Sequence, residues 1–258
     1  MSIGSVAPGQ PVALVVLPGA AAAVLATATG SERLTGGARG VAARIAELDV
    51  SLGPRWVWWS AAVAAEPLLR GDPTLRLSRC WDLGAAHRLL HGGSRDDPAH
   101  VWAGVRGLDA AGIPRPGELD LLGSAFGDLA NADVDADTPV RGDGHLAPEW
   151  VDGAWSDSPS AAEAWARVAL EAQAVQEEAL QARTASMGAG NAVHTAWSES
   201  AAELFAIELG VTGLPVDLAV AEAVIAEHAG PRPRDSDDAA RLRRLRDERV
   251  LRLVPGHS

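Results

Sequence analysis

The stretch SRCWDLGAAHRLLHGG, residues 78–93, gathers Cys80, Asp82, His87 and His91: a thiol, a carboxylate and two imidazoles. His87 and His91 stand four residues apart, the spacing that sets two imidazoles on one helical face in zinc-binding helices. No Glu follows the first His, and Cys80 precedes the helix instead of facing it. His91 is therefore expected to cap the last carbonyls before Gly92. A nucleophilic Cys80 would need a base and an electropositive pocket. Beside Trp81 at a strand end, it reads as an inert core thiol. Asp82 falls where a helix N-cap belongs, its carboxylate accepting the free amides of the next turn.

Two other clusters imitate sites. Asp133, Asp135 and Asp137 resemble the start of a calcium loop, but Thr138 replaces the needed Gly and Gly144 the needed Glu. A solvated acidic loop is the expectation. Gly36-Gly37-Ala38-Arg39-Gly40 precedes a helix yet lacks both the P-loop Lys and dinucleotide-binding spacing.

The elements that must position these residues are punctuated by Gly and Pro. Apolar runs at 11–17 and 22–29, split by Pro18-Gly19, predict a hairpin. A helix is predicted over 36–50, with Val41, Ile45 and Leu48 on one face, then a buried strand over 54–60. A further helix ends near Gly71, and a strand is predicted over 75–80. After Asp82 a helix carries Leu83, Ala86, Leu89 and Leu90 inward and stops at Gly92-Gly93. This order indicates an α/β domain over 1–108 with a mixed sheet and flanking helices.

Residues 109–158, rich in Pro, Gly and Asp with Trp150 and Trp155 isolated, read as a long, partly disordered insertion. Helices are predicted over 161–185, 195–209, 218–229 and 235–253, so 159–258 forms a helical C-terminal segment. In the second of these, Trp197, Ala201, Leu204, Phe205 and Leu209 make an apolar stripe expected to pack inward, with Ser200 and Glu203 as a capping box.

The chain has 258 residues and a net charge of −12, and all 22 basic residues are Arg. Residues 231–258 carry eight Arg against five acids, leaving the body before them at −15. Such a body repels nucleic acid at long range. One cysteine excludes an internal disulfide framework and a Cys-only zinc site. The apolar run 11–17 is too short to span a bilayer, and no signal-like segment opens the chain, so a cytoplasmic protein without a membrane association is expected.

The segments PRWVWWS, LRLSRCWDLGAAHRLLHGG, the Trp-containing helix at 100–108 and ESAAELFAIELGVTGLPVD resemble the front half of family A DNA polymerases, in particular the actinobacterial type that joins a 3′–5′ exonuclease to the polymerase. The resemblance implies a ribonuclease H-like proofreading domain, with Asp82 in the structural segment that follows the second exonuclease motif. It implies that residues 204–217 open the polymerase domain. The Arg-rich helix at 235–253 would then lie at the base of the thumb, with Leu242, Leu245, Val250 and Leu253 inward. Arg241, Arg243, Arg244 and Arg249 become candidate DNA contacts.

Proofreading in that family uses two metal ions held by carboxylates. Here the first-motif strand, Val12 to Leu17, has none; the second-motif region, Ala61 to Ala65, has none, with Glu66 nearest; the third-motif helix offers Glu171 and Gln173 but no Asp. The 258 residues also stop before palm or fingers. The expectation is a degenerate exonuclease-like scaffold in DNA replication or repair, inactive alone. It needs no cofactor, magnesium belonging to the intact family. Its partner would be a polymerase module in cis or in trans, and it would bind DNA weakly at most. The alternative is a residual metal-dependent exonuclease using Glu66, Glu171 and a third acid.

Overall fold

The structure, a computed structural model, describes residues 3, 6–114, 138–187 and 190–253. Two compact units part at Gly213/Leu214. The first is an α/β unit around a five-stranded mixed sheet of order β3-β2-β1-β4-β5. Its strands are β1 (Pro11–Val16), β2 (Ala22–Thr27), β3 (Gly30–Thr35), β4 (Arg55–Trp58) and β5 (Cys80–Asp82). β2 runs antiparallel to both β1 and β3, while β1, β4 and β5 are mutually parallel. Apolar residues fill both faces of the central strands, as a sheet covered on two sides requires.

Helices α1 (Gly37–Leu52) and α2 (Ala61–Gly71) cover one face. Their buried residues, Val41, Ile45, Leu48, Ala64 and Leu68 among them, meet Val12, Leu14, Trp56 and Trp58. The other face, with Ala13, Val15, Val57 and Trp81, is covered by α3 (Leu83–His91), α4 (Pro98–Arg106) and α6 (Pro159–Met187). α6 buries Ala162, Ala166, Ala169, Ala172 and Leu180, and its small side chains let the helix lie close on β1 and β2. α7 (Ala192–Thr212) flanks β5 at the sheet edge. Its Val193 and Ala196 join one core and its Leu204 the other.

The hairpin, α1, β4, α3 and the four later helices stand within a few residues of where the sequence places them. Several expectations change. β5 starts at Cys80, not at Leu75, because the Ser78 amide donates to the Asp49 carboxylate (3.2 Å) in place of a ladder partner. β3 is an additional strand: a polar edge strand of which only Leu34 is buried, and so without an apolar run to announce it. The compact units do not part at 108 or 159, because α6 and α7 supply much of the covering of the sheet. Of the expected insertion, residues 115–137 lie outside the described residues. Residues 138–158 form a Val140–Leu146 bridge and α5 (Pro148–Val151), and Leu146 and Trp150 are buried in the core.

The inward face of α7 is also different. Asn191 is its N-cap, accepting from the His194 amide at 3.1 Å, so the helix begins well before the expected capping box. Val193, Ala196, Ser200 and Leu204 are buried, whereas Phe205 is 58% exposed.

The second unit, residues 214–253 as described, contains α8 (Leu218–Ala229) and α9 (Ser236–Leu251). The inner stripe expected on α9 is absent, since Leu245 and Val250 are both exposed and only Leu242 is partly covered. Among the described residues no helix is long and apolar enough to cross a membrane.

The α7 face gives a direct test by chemical denaturation. Leu204→Ala is expected to cost about 2–5 kcal/mol. Phe205→Ala should stay within about 0.5 kcal/mol of wild type. Equal losses at both positions would contradict this packing.

Candidate functional site

The parallel strands β4 and β5 end at the same edge of the sheet, and each runs directly into a helix. After β4, Ser60 caps α2, its Oγ accepting from the Ala62 amide at 3.3 Å. After β5, Asp82 caps α3 by accepting from the Ala85 amide at 2.9 Å. Chain order reverses next to β4: from β1 the strands β2 and β3 run outward on one side, and β4 and β5 run outward on the other. In open α/β sheets, ligands sit in the crevice outside the carboxyl ends of the strands at such a point.

Asp82 does more than cap. Its other oxygen accepts from the Ala61 amide at 2.7 Å and from the Trp58 indole at 3.2 Å. Its own amide donates to Ser200 Oγ at 2.9 Å, and that hydroxyl donates to the Ala196 carbonyl at 2.7 Å. Burial pushes the Asp82 carboxyl up to about 6, against the lowering effect of the Ala85 and Ala61 amides.

Above this edge lies a cleft of about 390 Å³, at the small end of ligand pockets. Trp59 and Trp165, stacked at 4.7 Å between centroids, form one wall together with Trp155. The polar lining is acidic: Asp82, Asp96, Asp97, Asp152 and Glu203. Arg88 is the one basic residue on the lining and is bound by both Asp96 and Glu203. Asp97 is occupied as the N-cap of α4 and by His100, whose Nδ1 lies 2.7 Å from its carboxylate.

Beside the cleft is a cavity of only about 20 Å³, where β1 (Leu14, Val15, Val16), α2 (Val63, Ala64) and α6 (Trp165) meet. Trp58, Trp59, Ser60 and Trp155 complete the lining, which contains no carboxylate.

The residues singled out by sequence fall elsewhere or take structural roles. Cys80 is buried, and burial pushes its thiol up to about 12, as an inert core residue requires. The His87 and His91 rings lie tilted to one another with centroids 4.7 Å apart, and His87 is pressed against α4 at Gly104, where an added Cβ would stand 2.8 Å from Cε1. Burial, then the neighbouring His91 and His100, push His87 down to about 4. The last carbonyls of α3 are capped by Arg183, which donates to Leu89 and Leu90, and not by His91. Glu66 is paired with Arg70 and Glu171 with Arg106, each at 2.6 Å, on helices that cover opposite faces of the sheet. Among the described residues no three His, Cys, Asp or Glu side chains group to hold a metal ion. Asp133, Asp135 and Asp137 lie outside the described residues. Arg241, Arg243, Arg244 and Arg249 are exposed on α9, and Arg241 is paired with Asp238 at 2.6 Å.

Sequence reasoning missed two members of this edge. Ser200 was assigned to a cap, and Gln176 drew no attention although it is fully buried, accepting from the Trp81 indole (3.0 Å) and donating to the Leu83 carbonyl (2.9 Å). The available signal was polarity at an inward helical position of α6, in register with Ala169, Ala172 and Leu180.

No protein family, characterised protein or solved structure matches this chain.

The acid–base properties of Asp82 can be measured through stability. A carboxyl raised from 3.8 to about 6 by folding contributes stability in full below the lower value and loses it as pH rises through the upper one. His87 acts in the opposite sense, its contribution present above 6.5 and lost as pH falls through about 4. Comparing wild type with Asp82→Asn cancels the His87 effect. Urea denaturation should therefore show the advantage of wild type shrinking as pH rises from about 4 to 7. An advantage that grows over that range would show the Asp82 carboxyl to be lowered instead.

Proposed function

We propose that residues 1–203 are a ribonuclease H-like exonuclease frame that has lost its metal-binding carboxylates and serves as a scaffold at the front of a family A DNA polymerase. One observation carries the reading. The three segments that stand where the family has its exonuclease motifs are far apart in sequence, yet they converge on the 20 Å³ cavity through Leu14, Val15 and Val16, through Val63 and Ala64, and through Trp165. Convergence is what motif segments of one active site must show, and aliphatic and indole side chains with the Ser60 hydroxyl stand at the meeting point. The strand order β3-β2-β1-β4-β5, with β2 alone reversed, supports the ribonuclease H-like frame.

Two-metal chemistry needs carboxylates to hold both ions near the attacking and leaving oxygens. This meeting point offers none, and Glu66 and Glu171 are each tied to an arginine on separate layers. The scaffold role places the molecule in DNA replication or repair through a polymerase module. Residues 204–217 and α9 would then supply the start of the thumb, with Arg241, Arg243, Arg244 and Arg249 directed at DNA phosphates.

Three measurements test this. With magnesium or manganese and an end-labelled single-stranded oligonucleotide, no release of nucleotides is expected; release abolished by Glu66→Gln would restore the exonuclease reading. DNA binding by this chain alone should be no tighter than about 10⁻⁴ M at physiological salt. Micromolar affinity lost on changing Arg243 and Arg244 to Ala would overturn that. Mixed with a family A polymerase module lacking its exonuclease-like domain, the chain should co-elute on sizing and strengthen primer extension. Separate elution with unchanged extension would sink the scaffold role.

A further inference from the structure

The cleft at the carboxyl ends of β4 and β5 is suited to a ligand unlike DNA. Its acids outnumber its bases by Asp82, Asp96, Asp97, Asp152 and Glu203 to Arg88 alone, and both available carboxylate partners of Arg88 hold it in place. Arg88 is thus unavailable to a phosphate, and the net negative field opposes one. Asp152 is different from the other acids. It closes α5, is exposed, and has neither an ion pair nor a side-chain hydrogen bond among the described residues. The cleft is also lined by the half-buried Trp155 and by the more deeply buried Trp59 and Trp165. Indole faces attract cations through the ring quadrupole, and the attraction strengthens where water is partly excluded.

We propose that this cleft binds an organic cation: an ammonium or guanidinium group on an apolar stem, with the charge held by Asp152 and the stem and cation face against the indoles. A volume of about 390 Å³ suits one such group and its stem, not a folded partner. The inference rests on the cleft alone and stands whether or not the polymerase scaffold reading does. The same chemistry is presented by a basic side chain of a peptide and by a free polyamine, and the probes separate the two.

Calorimetric titration of the whole chain would use N-acetyl-arginine methylamide, spermidine and the neutral isostere N-acetyl-citrulline methylamide, each at low and at high salt. Saturable binding of a cation is expected, weakening with salt, with the citrulline compound at least about tenfold weaker. Preference for the arginine compound identifies a peptide source, and preference for spermidine a free amine. Asp152→Asn and Trp155→Ala should each weaken the preferred cation by about tenfold. Asp152 is exposed and Trp155 only half-buried, so both variants should retain the fold, which their circular dichroism melting would verify. Absence of saturation up to about 10 mM, equal binding of citrulline, or unchanged affinity in both folded variants would overturn the proposal.

Discussion

A single carboxylate ties together four elements of the first unit. Asp82 ends β5, caps α3, receives the first amide of α2 and receives the indole hydrogen of Trp58 at the end of β4. Its backbone amide adds α7 through Ser200. A buried carboxylate costs free energy unless donors surround it, and here the donors are groups that would otherwise be unpaired at two helix starts and one strand end. The same contacts fix the angle at which both helices leave the sheet, and with it the shape of the cleft between them. Shortening this side chain would strand three donors in the interior, each at about 1–3 kcal/mol.

The same logic extends through the core, where the large rings are nearly all indoles. Trp56 donates to Asp49, Trp81 to Gln176 and Trp102 to the Gly144 carbonyl. Each bond joins a sheet or helix residue to a different layer, so the polar handle of Trp sets the relative placement of layers while its rings fill the volume between them. Among the described residues Trp197 has no acceptor for its indole hydrogen, and its ring lies under the Arg55 guanidinium, 4.2 Å from the ring centroid. Four of the polar residues retained in the interior, Asp49, Asp82, Gln176 and Ser200, are therefore the complements of these rings and of the helix ends.

Much of this frame was legible because punctuation is local. Asp82 ahead of Leu83, Gly92 after His91 and Gly230 after α8 act through backbone amides and positive φ values that depend on a few neighbours. β3 escaped because an edge strand with a single buried side chain leaves no periodic apolar signal. The face of α7 was misread for a related reason. Ser200 reads as a capping residue, while the true cause of a buried Ser at that position is the Asp82 amide, 118 residues away in the chain. The cleft was the least legible part. Trp59, Trp155 and Trp165 belong to three segments that only tertiary packing unites, and Asp152 sits in a stretch whose composition resembles loop.

The placement of the aromatic residues has an optical consequence. All nine tryptophans precede Leu214, the chain has no tyrosine, and the residues of α8 and α9 contain neither. Intrinsic emission therefore reports only on the first unit. Five of its indoles, Trp56, Trp58, Trp81, Trp102 and Trp150, are almost fully shielded from water and will shift together when that unit opens. α8 and α9 add no indole of their own to this signal, and their melting is read directly as lost helical dichroism. A gap between the two spectroscopic transitions would thus time the second unit separately from the first, with no label attached to either.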